Sequence, residues 1–213
     1  MSTILCFGDS NTWGTMPQTP AHPNGRYDSH QRWPMLLQKA LGSSYHIIEE
    51  GQPSRTVVHN APFDINKSGL RSLHQALVQY PPALVLILLG TNDLKAKFQL
   101  TAQDIGNGIE KLIKQTLEFT LPANHSTTKV LLLSPPFIKE VGLYANIYLG
   151  GAKKSQQLPD IYQQCARQLS CDYFDVSAIV QSSQEDGIHW HLKQHQLLAN
   201  ALFPIVKSIL SDK

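Results

Sequence analysis

The stretch "TILCFGDSNTWG", residues 3–14, fixes the architecture of the chain. Thr3 to Phe7 make a short apolar run, and the turn formers Gly8, Asp9, Ser10 and Asn11 follow at once. A run this short and this continuous suits a strand covered on both faces, as in a parallel sheet. The design recurs at "HIIEE" (46–50), "ALVLILL" (83–89), "KVLLLS" (129–134) and, more weakly, "DYFDV" (172–176). Stretches of helical period separate these runs. They cover 32–41 with Gly42 as C-cap, 68–80 before Pro81-Pro82, about 102–120, 158–169, and 194–210 with Pro204 inside. Ile105, Ile109, Leu112, Ile113 and Leu117 share one helical face, and Thr101 with Asp104 forms a capping-box pattern. Strand and helix in alternation predict an α/β fold of three layers, α/β/α. Five strands suit a flavodoxin-like parallel sheet in the order 2-1-3-4-5.

A length of 213 residues fits one domain spanning 1–213. The net charge is +2, from 18 basic and 16 acidic residues with no basic block, so no nucleic-acid partner is implied. No apolar run reaches the roughly 18 residues of a membrane span, and the opening residues lack the parts of a signal peptide. Three cysteines, an odd number without metal-ligand spacing, read as reduced thiols of a cytoplasmic protein, with Cys6 in the core. Neither "GDSNTWG" nor "GTNDLK" is a Gly-rich phosphate loop, so no cofactor is expected. The stretch 11–31 is long for a connector and reads as functional or as a subunit contact.

In a doubly wound sheet, ligands bind where the strand order reverses, at the carboxyl ends of strands 1 and 3. Four stretches meet at that edge: "GDSNTWG", "EEGQPSRT", "LLGTND" and "DGIHW". They bring Ser10, Gly51, Asn92, Asp186 and His189 together. Each alone has an ordinary reading. Ser10 and Asp186 suit turns, Asn92 suits a helix cap, and Gly51 suits a strand end. Together they suit acyl transfer. A serine hydroxyl needs an adjacent base, which His189 supplies, and Asp186 three residues earlier is placed to hold the imidazole tautomer. "HWHLKQH" also contains His191 and His195, which read as the polar face opening the last helix rather than as zinc ligands.

This set resembles the SGNH hydrolases, the GDSL-type esterases and lipases, named for a Ser, Gly, Asn and His from four blocks. Here Asn11 stands where that family usually has Leu. The resemblance implies three oxyanion donors: the backbone N–H of Ser10, the backbone N–H of Gly51 and the side-chain amide of Asn92. Longer segments, "TILCFGDSNTWG", "IEEGQPSRT", "LGTNDLKAKF", "VLLLSPP" and "DGIHW", are similar to bacterial arylesterases that are also acyltransferases and perhydrolases. In those, Phe is usual where Trp190 stands. Thr15 takes the place of a bulky Trp. The likeness implies hydrolysis of short-acyl, aryl or alkyl esters through an acyl-Ser10 intermediate, and a homo-oligomer.

Asn11, Trp13, Ser54, Phe98, Phe137 and Trp190 are the expected pocket residues, with Arg55 beside Ser54. The stretch 137–151 is expected to form a lid or subunit contact. Three other readings stand beside this one: a carbohydrate O-acetyl esterase, a thioesterase or lysophospholipase, and a non-catalytic flavodoxin-like module that binds a small ligand. Loss of one oxyanion donor typically costs about 3–4 kcal/mol of transition-state stabilisation. Asn92→Ala should therefore lower kcat on an aryl acetate by more than a hundredfold while the thermal midpoint stays close to wild type.

Overall fold

The computed structural model describes residues 2–19, 23–58, 67–121 and 127–211. Residues 20–22 of the long 11–31 stretch lie outside them. The five apolar runs are all strands: β1 (Ser2–Gly8), β2 (Tyr45–Gly51), β3 (Leu84–Leu88), β4 (Lys129–Ser134) and β5 (Asp172–Asp175). All pair in parallel, in the order β2-β1-β3-β4-β5.

Two cores flank the sheet. Leu5, Phe7, Val85, Ile87, Val130 and Leu132 point to one face. There they meet α3 (Gly69–Gln79), α4 (Ala102–Leu117) and α6 (Leu158–Gln168). Ile4, Cys6, Leu84, Leu86, Leu131 and Leu133 point to the other, under α2 (Trp33–Leu41) and α7 (Leu192–Ser211). The reason is topological. The chain steps one way from β1 to β2, then back across β1 to β3. Right-handed crossovers therefore place α2 and α3 on opposite faces. Period-2 alternation along each strand supplies an apolar side to both layers.

Local signals set most boundaries. Thr101 Oγ1 accepts the Asp104 N–H (3.1 Å) and Asp104 accepts the Thr101 N–H (2.9 Å), closing the capping box of α4. α2 ends at Gly42, whose φ of 77° suits glycine. α7 continues across Pro204, which lies on its exposed side. Two short helices add to the expected set, α1 (Ser10–Trp13) and α5 (Gly151–Ser155).

One expectation fails in α7. His191 is on the surface, bonded to Glu185 (3.0 Å), but His195 is fully buried. α7 starts at Leu192, and one turn in, His195 faces α2 rather than water. Its Nδ1 accepts the Trp33 N–H (3.4 Å), and Tyr27 and Trp190 pack against its ring. Burial, and next the nearby Arg32, pull its pKa down to about 3, so the ring is neutral.

Gly8 is in register with Gly51 on β2 and with Leu88 on β3. The three strands thus end together, and their following loops share one edge. Leu86 sits fully buried at the middle of β3. Leu86→Ala should cost about 2–5 kcal/mol of unfolding free energy in a urea titration.

Candidate active site

α1 begins directly after β1. Asp9 is its N-cap, accepting the Asn11 N–H (2.9 Å). This sharp entry turns Ser10 into a cavity of about 580 Å³. Ser10 Oγ lies 3.1 Å from His189 Nε2, and His189 Nδ1 lies 2.6 Å from Asp186 Oδ2. A carboxylate only accepts, so Nδ1 carries the proton and Nε2 offers its lone pair to the serine hydroxyl.

Asp186 is fully buried and saturated with donors. Oδ1 accepts the Ser183 hydroxyl (2.8 Å) and the N–H groups of Ile188 and His189 (2.9 Å each). Oδ2 also accepts the Gln18 N–H (2.7 Å), which ties the 15–19 segment to this loop. Burial alone would raise the Asp186 pKa. The His189 bond and charge, with the Gln18 and Ile188 N–H groups, outweigh it and hold the carboxyl well below the usual range. Gly187 has a φ of 74°, and a Cβ there would overlap the Lys139 carbonyl. The 137–148 segment can therefore lie directly on the loop, with the Lys139 N–H donating to Gly187 O (2.9 Å).

Asn92 comes from a 3₁₀ turn after β3. Its Nδ2 donates to the Arg55 carbonyl (3.1 Å) and lies 3.5 Å from Asp9 Oδ2. Its Oδ1 accepts the Tyr148 hydroxyl (3.2 Å). Ser10, Asn92 and His189 line the same cavity with Trp13, Ser54, Tyr144, Ile147 and Tyr148. Thr15, Gln18, Asn24, Arg26, Lys95 and Lys97 add polar wall. The Arg26 guanidinium stacks 3.3 Å above the Trp13 ring, and its Nε donates to the Trp13 carbonyl (2.9 Å).

Gly51 is not in this cavity. It lines a neighbouring one on the far side of Trp13. A Cβ on Gly51 would overlap the Trp13 N and the Thr12 carbonyl carbon. Its missing side chain thus lets α1 seat on β2, and does not admit substrate. Ser54, three residues on, occupies the wall instead. Pro53 and Ser54 are the middle residues of a turn closed by Arg55 N–H to Gln52 O (3.1 Å). Ser54 has a φ of 66°, the value a type II turn asks of its third residue. Its own N–H has no hydrogen-bond partner among the described residues. The sequence signal was present, since Gln-Pro-Ser-Arg is a Pro-led turn.

Five other pocket expectations are corrected. Asn11 is buried beneath the cavity, its Nδ2 donating to Ile188 O (3.2 Å), so it steadies the loop before His189. Trp190 is fully buried in the core beside His195, because it turns away from the face His189 occupies. Phe137 is 41% exposed and outside the wall. Phe98 is half-buried under Lys97 and also outside it. Arg55 lies beneath the site, donating to Gly8 O (2.8 Å) and to Glu50. No group of three or more His, Cys, Asp or Glu among the described residues is placed to hold a metal ion.

Asp9 is the second buried carboxyl beside Ser10. Burial, first, and the nearby Asp93 charge raise its pKa to about 6, against the Asn11 N–H and His189. An acid whose folded pKa is raised adds stability that is complete below the ordinary carboxylate range and lost as pH climbs through the folded value. Asp9→Asn keeps an acceptor for the Asn11 N–H and abolishes this loss. Between pH 4 and pH 8 the variant should gain on wild type by on the order of 3 kcal/mol in denaturant melts.

Comparison with known proteins places the chain in a family and a fold. The GDSL-like Lipase/Acylhydrolase family matches residues 6–197. Est24, a carbohydrate acetylesterase from Sinorhizobium meliloti, superposes with a TM-score of 0.93 at 33% identity, over 98% of this chain and 100% of that one. The M. smegmatis aryl esterase does so with the same score, identity and coverage. A lipase/acylhydrolase from Enterococcus faecalis shares the fold at 17% identity and a TM-score of 0.69, over 98% of this chain and 96% of its own. No curated protein matches the sequence. The chain belongs to the GDSL-like lipase/acylhydrolase family and is a carboxylic ester hydrolase.

Proposed function

We propose that this single-domain esterase cleaves small carboxylic esters through an acyl-Ser10 intermediate. The observation that carries the reading is the continuous hydrogen-bonded chain from Ser10 Oγ through His189 to the buried Asp186. Ser10 Oγ attacks the ester carbonyl as His189 Nε2 takes its proton. The developing imidazolium is stabilised by Asp186. The oxyanion is met by the Ser10 N–H, the Ser54 N–H and Asn92 Nδ2, with Ser54 in the role first given to Gly51. His189 then returns the proton to the departing alkoxide. Water, activated by the same histidine, releases the acid.

The apolar portion of the wall, Trp13, Pro53, Ile147 and Ile188, suits a short acyl or aryl group. It also favours an alcohol or peroxide competing with water for the acyl-enzyme, hence acyl transfer. A second reading, de-acetylation of a carbohydrate, is favoured by Gln18, Asn24 and Arg26, a polar rim suited to hydroxyls. Leu143 (65% exposed), Ile147 (44%) and Leu149 (66%) stand exposed on the segment that supplies Tyr144, Ile147 and Tyr148 to the cavity wall. A second copy of the chain would cover them, giving a homo-oligomer. Three free cysteines, two of them buried, suit a reducing cytoplasm.

Phenyl acetate, a per-acetylated sugar and p-nitrophenyl acetate should be offered to wild type and Ser10→Ala. Wild type should turn over, and the variant should fall by up to about a millionfold at an unchanged melting midpoint. Retention of activity in the folded variant defeats the reading. The ratio of aryl to sugar ester rates decides between the two substrate classes.

A further inference from the structure

An oxyanion donor on an asparagine carries a problem of its own. The amide is nearly symmetric in shape, and a half-turn would present Oδ1, a repulsive acceptor, to the oxyanion. Something must fix which end faces the reacting carbonyl. Three contacts on Asn92 do so, two on Nδ2, from the Arg55 carbonyl and Asp9 Oδ2 (3.5 Å), and one on Oδ1. The Arg55 carbonyl accepts only, so Nδ2 must face it (3.1 Å). Oδ1 is thereby turned toward the Tyr148 hydroxyl, which must donate (3.2 Å).

We infer that Tyr148 is a positioning residue for ester cleavage: its hydroxyl holds the Asn92 amide with Nδ2 toward the oxyanion. This inference rests on the acyl-Ser10 reading. Tyr148 is built for the task. It is 3% exposed, and its backbone is locked on both sides by Ile147 O accepting the Ala96 N–H (2.8 Å) and Tyr148 O accepting the Gly151 N–H (2.6 Å). Tyr144 stands edge-on to the Tyr148 ring (centroids 6.2 Å) and to the His189 ring (5.8 Å). One segment thus steadies both the base and the oxyanion donor. Phenylalanine at 148 would fill the same space and leave Oδ1 buried without a donor.

A double-mutant cycle with Ser10→Ala alongside tests this. Steady-state kinetics on phenyl acetate are taken for wild type, Tyr148→Phe, Asn92→Ala and the double variant, each confirmed folded by circular dichroism. Tyr148→Met, which also lacks the hydroxyl, stands in if Tyr148→Phe does not fold. Tyr148→Phe should lower kcat about tenfold with KM within about twofold of wild type, since the contact acts in the transition state. In the Asn92→Ala background the same change should cost less than about twofold, because the amide it positions is gone. A Tyr148→Phe kcat within about twofold of wild type overturns the inference. So does a full tenfold loss in the double variant, which would mean that Tyr148 acts independently of Asn92. If Ser10→Ala falls to background while Tyr148→Phe is unimpaired, only this inference fails. If Ser10→Ala keeps the wild-type rate, the acyl-Ser10 reading fails and takes this one with it.

Discussion

The Asp186 carboxylate is the point on which the site depends. A charge with no exposure to water is tolerable only if its lone pairs are filled. Here five donors fill them: the His189 ring, the Ser183 hydroxyl and the N–H groups of Gln18, Ile188 and His189. Those donors come from both ends of the chain. Satisfying one buried charge therefore folds the 15–19 segment and the 183–189 loop onto each other. The imidazole tautomer follows from the same bond, which leaves the Nε2 lone pair facing the Ser10 hydroxyl.

Ser10 is held by a different logic. Its position comes from the sheet, where β1, β2 and β3 end in register and α1 must turn at once. Gly51 makes that turn possible by leaving room for the α1 backbone. Asp9 caps α1 and is buried in doing so, close to Asp93. The site thus holds one carboxyl pushed down by its partners and one pushed up by burial. Each is set by the number of donors it meets rather than by depth alone.

The aromatic segment 144–148 joins these halves. Tyr144 touches His189, and Tyr148 reaches Asn92. The adjoining residues Leu143, Ile147 and Leu149 face solvent. The same short stretch therefore buttresses the site from inside and presents an apolar surface outside. Gly142 and Gly187 mark where it and the Asp186 loop pack backbone to backbone, since a Cβ on either would overlap a carbonyl oxygen opposite.

Strands and helices were legible because their signals are local. Continuous apolar runs need two covering layers, and 3.6-residue periodicity needs one face buried. That Ser10, Asn92, Asp186 and His189 meet was legible because each follows a strand or precedes the last helix, and strand ends converge by topology. Facing was not legible. Gly51 and Ser54 are three residues apart, and only the packing of α1 on β2 decides which one reaches the cavity. Trp190 follows His189 directly, yet it turns into the core. His195 reads as a surface residue from its polar neighbours, and α2 covers it. Tyr148 carried no motif, since its partner Asn92 is 56 residues away. Short-range pattern was enough for the layers, the strand order and the set of residues that gather at the sheet edge. The tertiary structure alone decided which side chains share the cavity and how they are turned, because that depends on contacts between segments far apart in the chain.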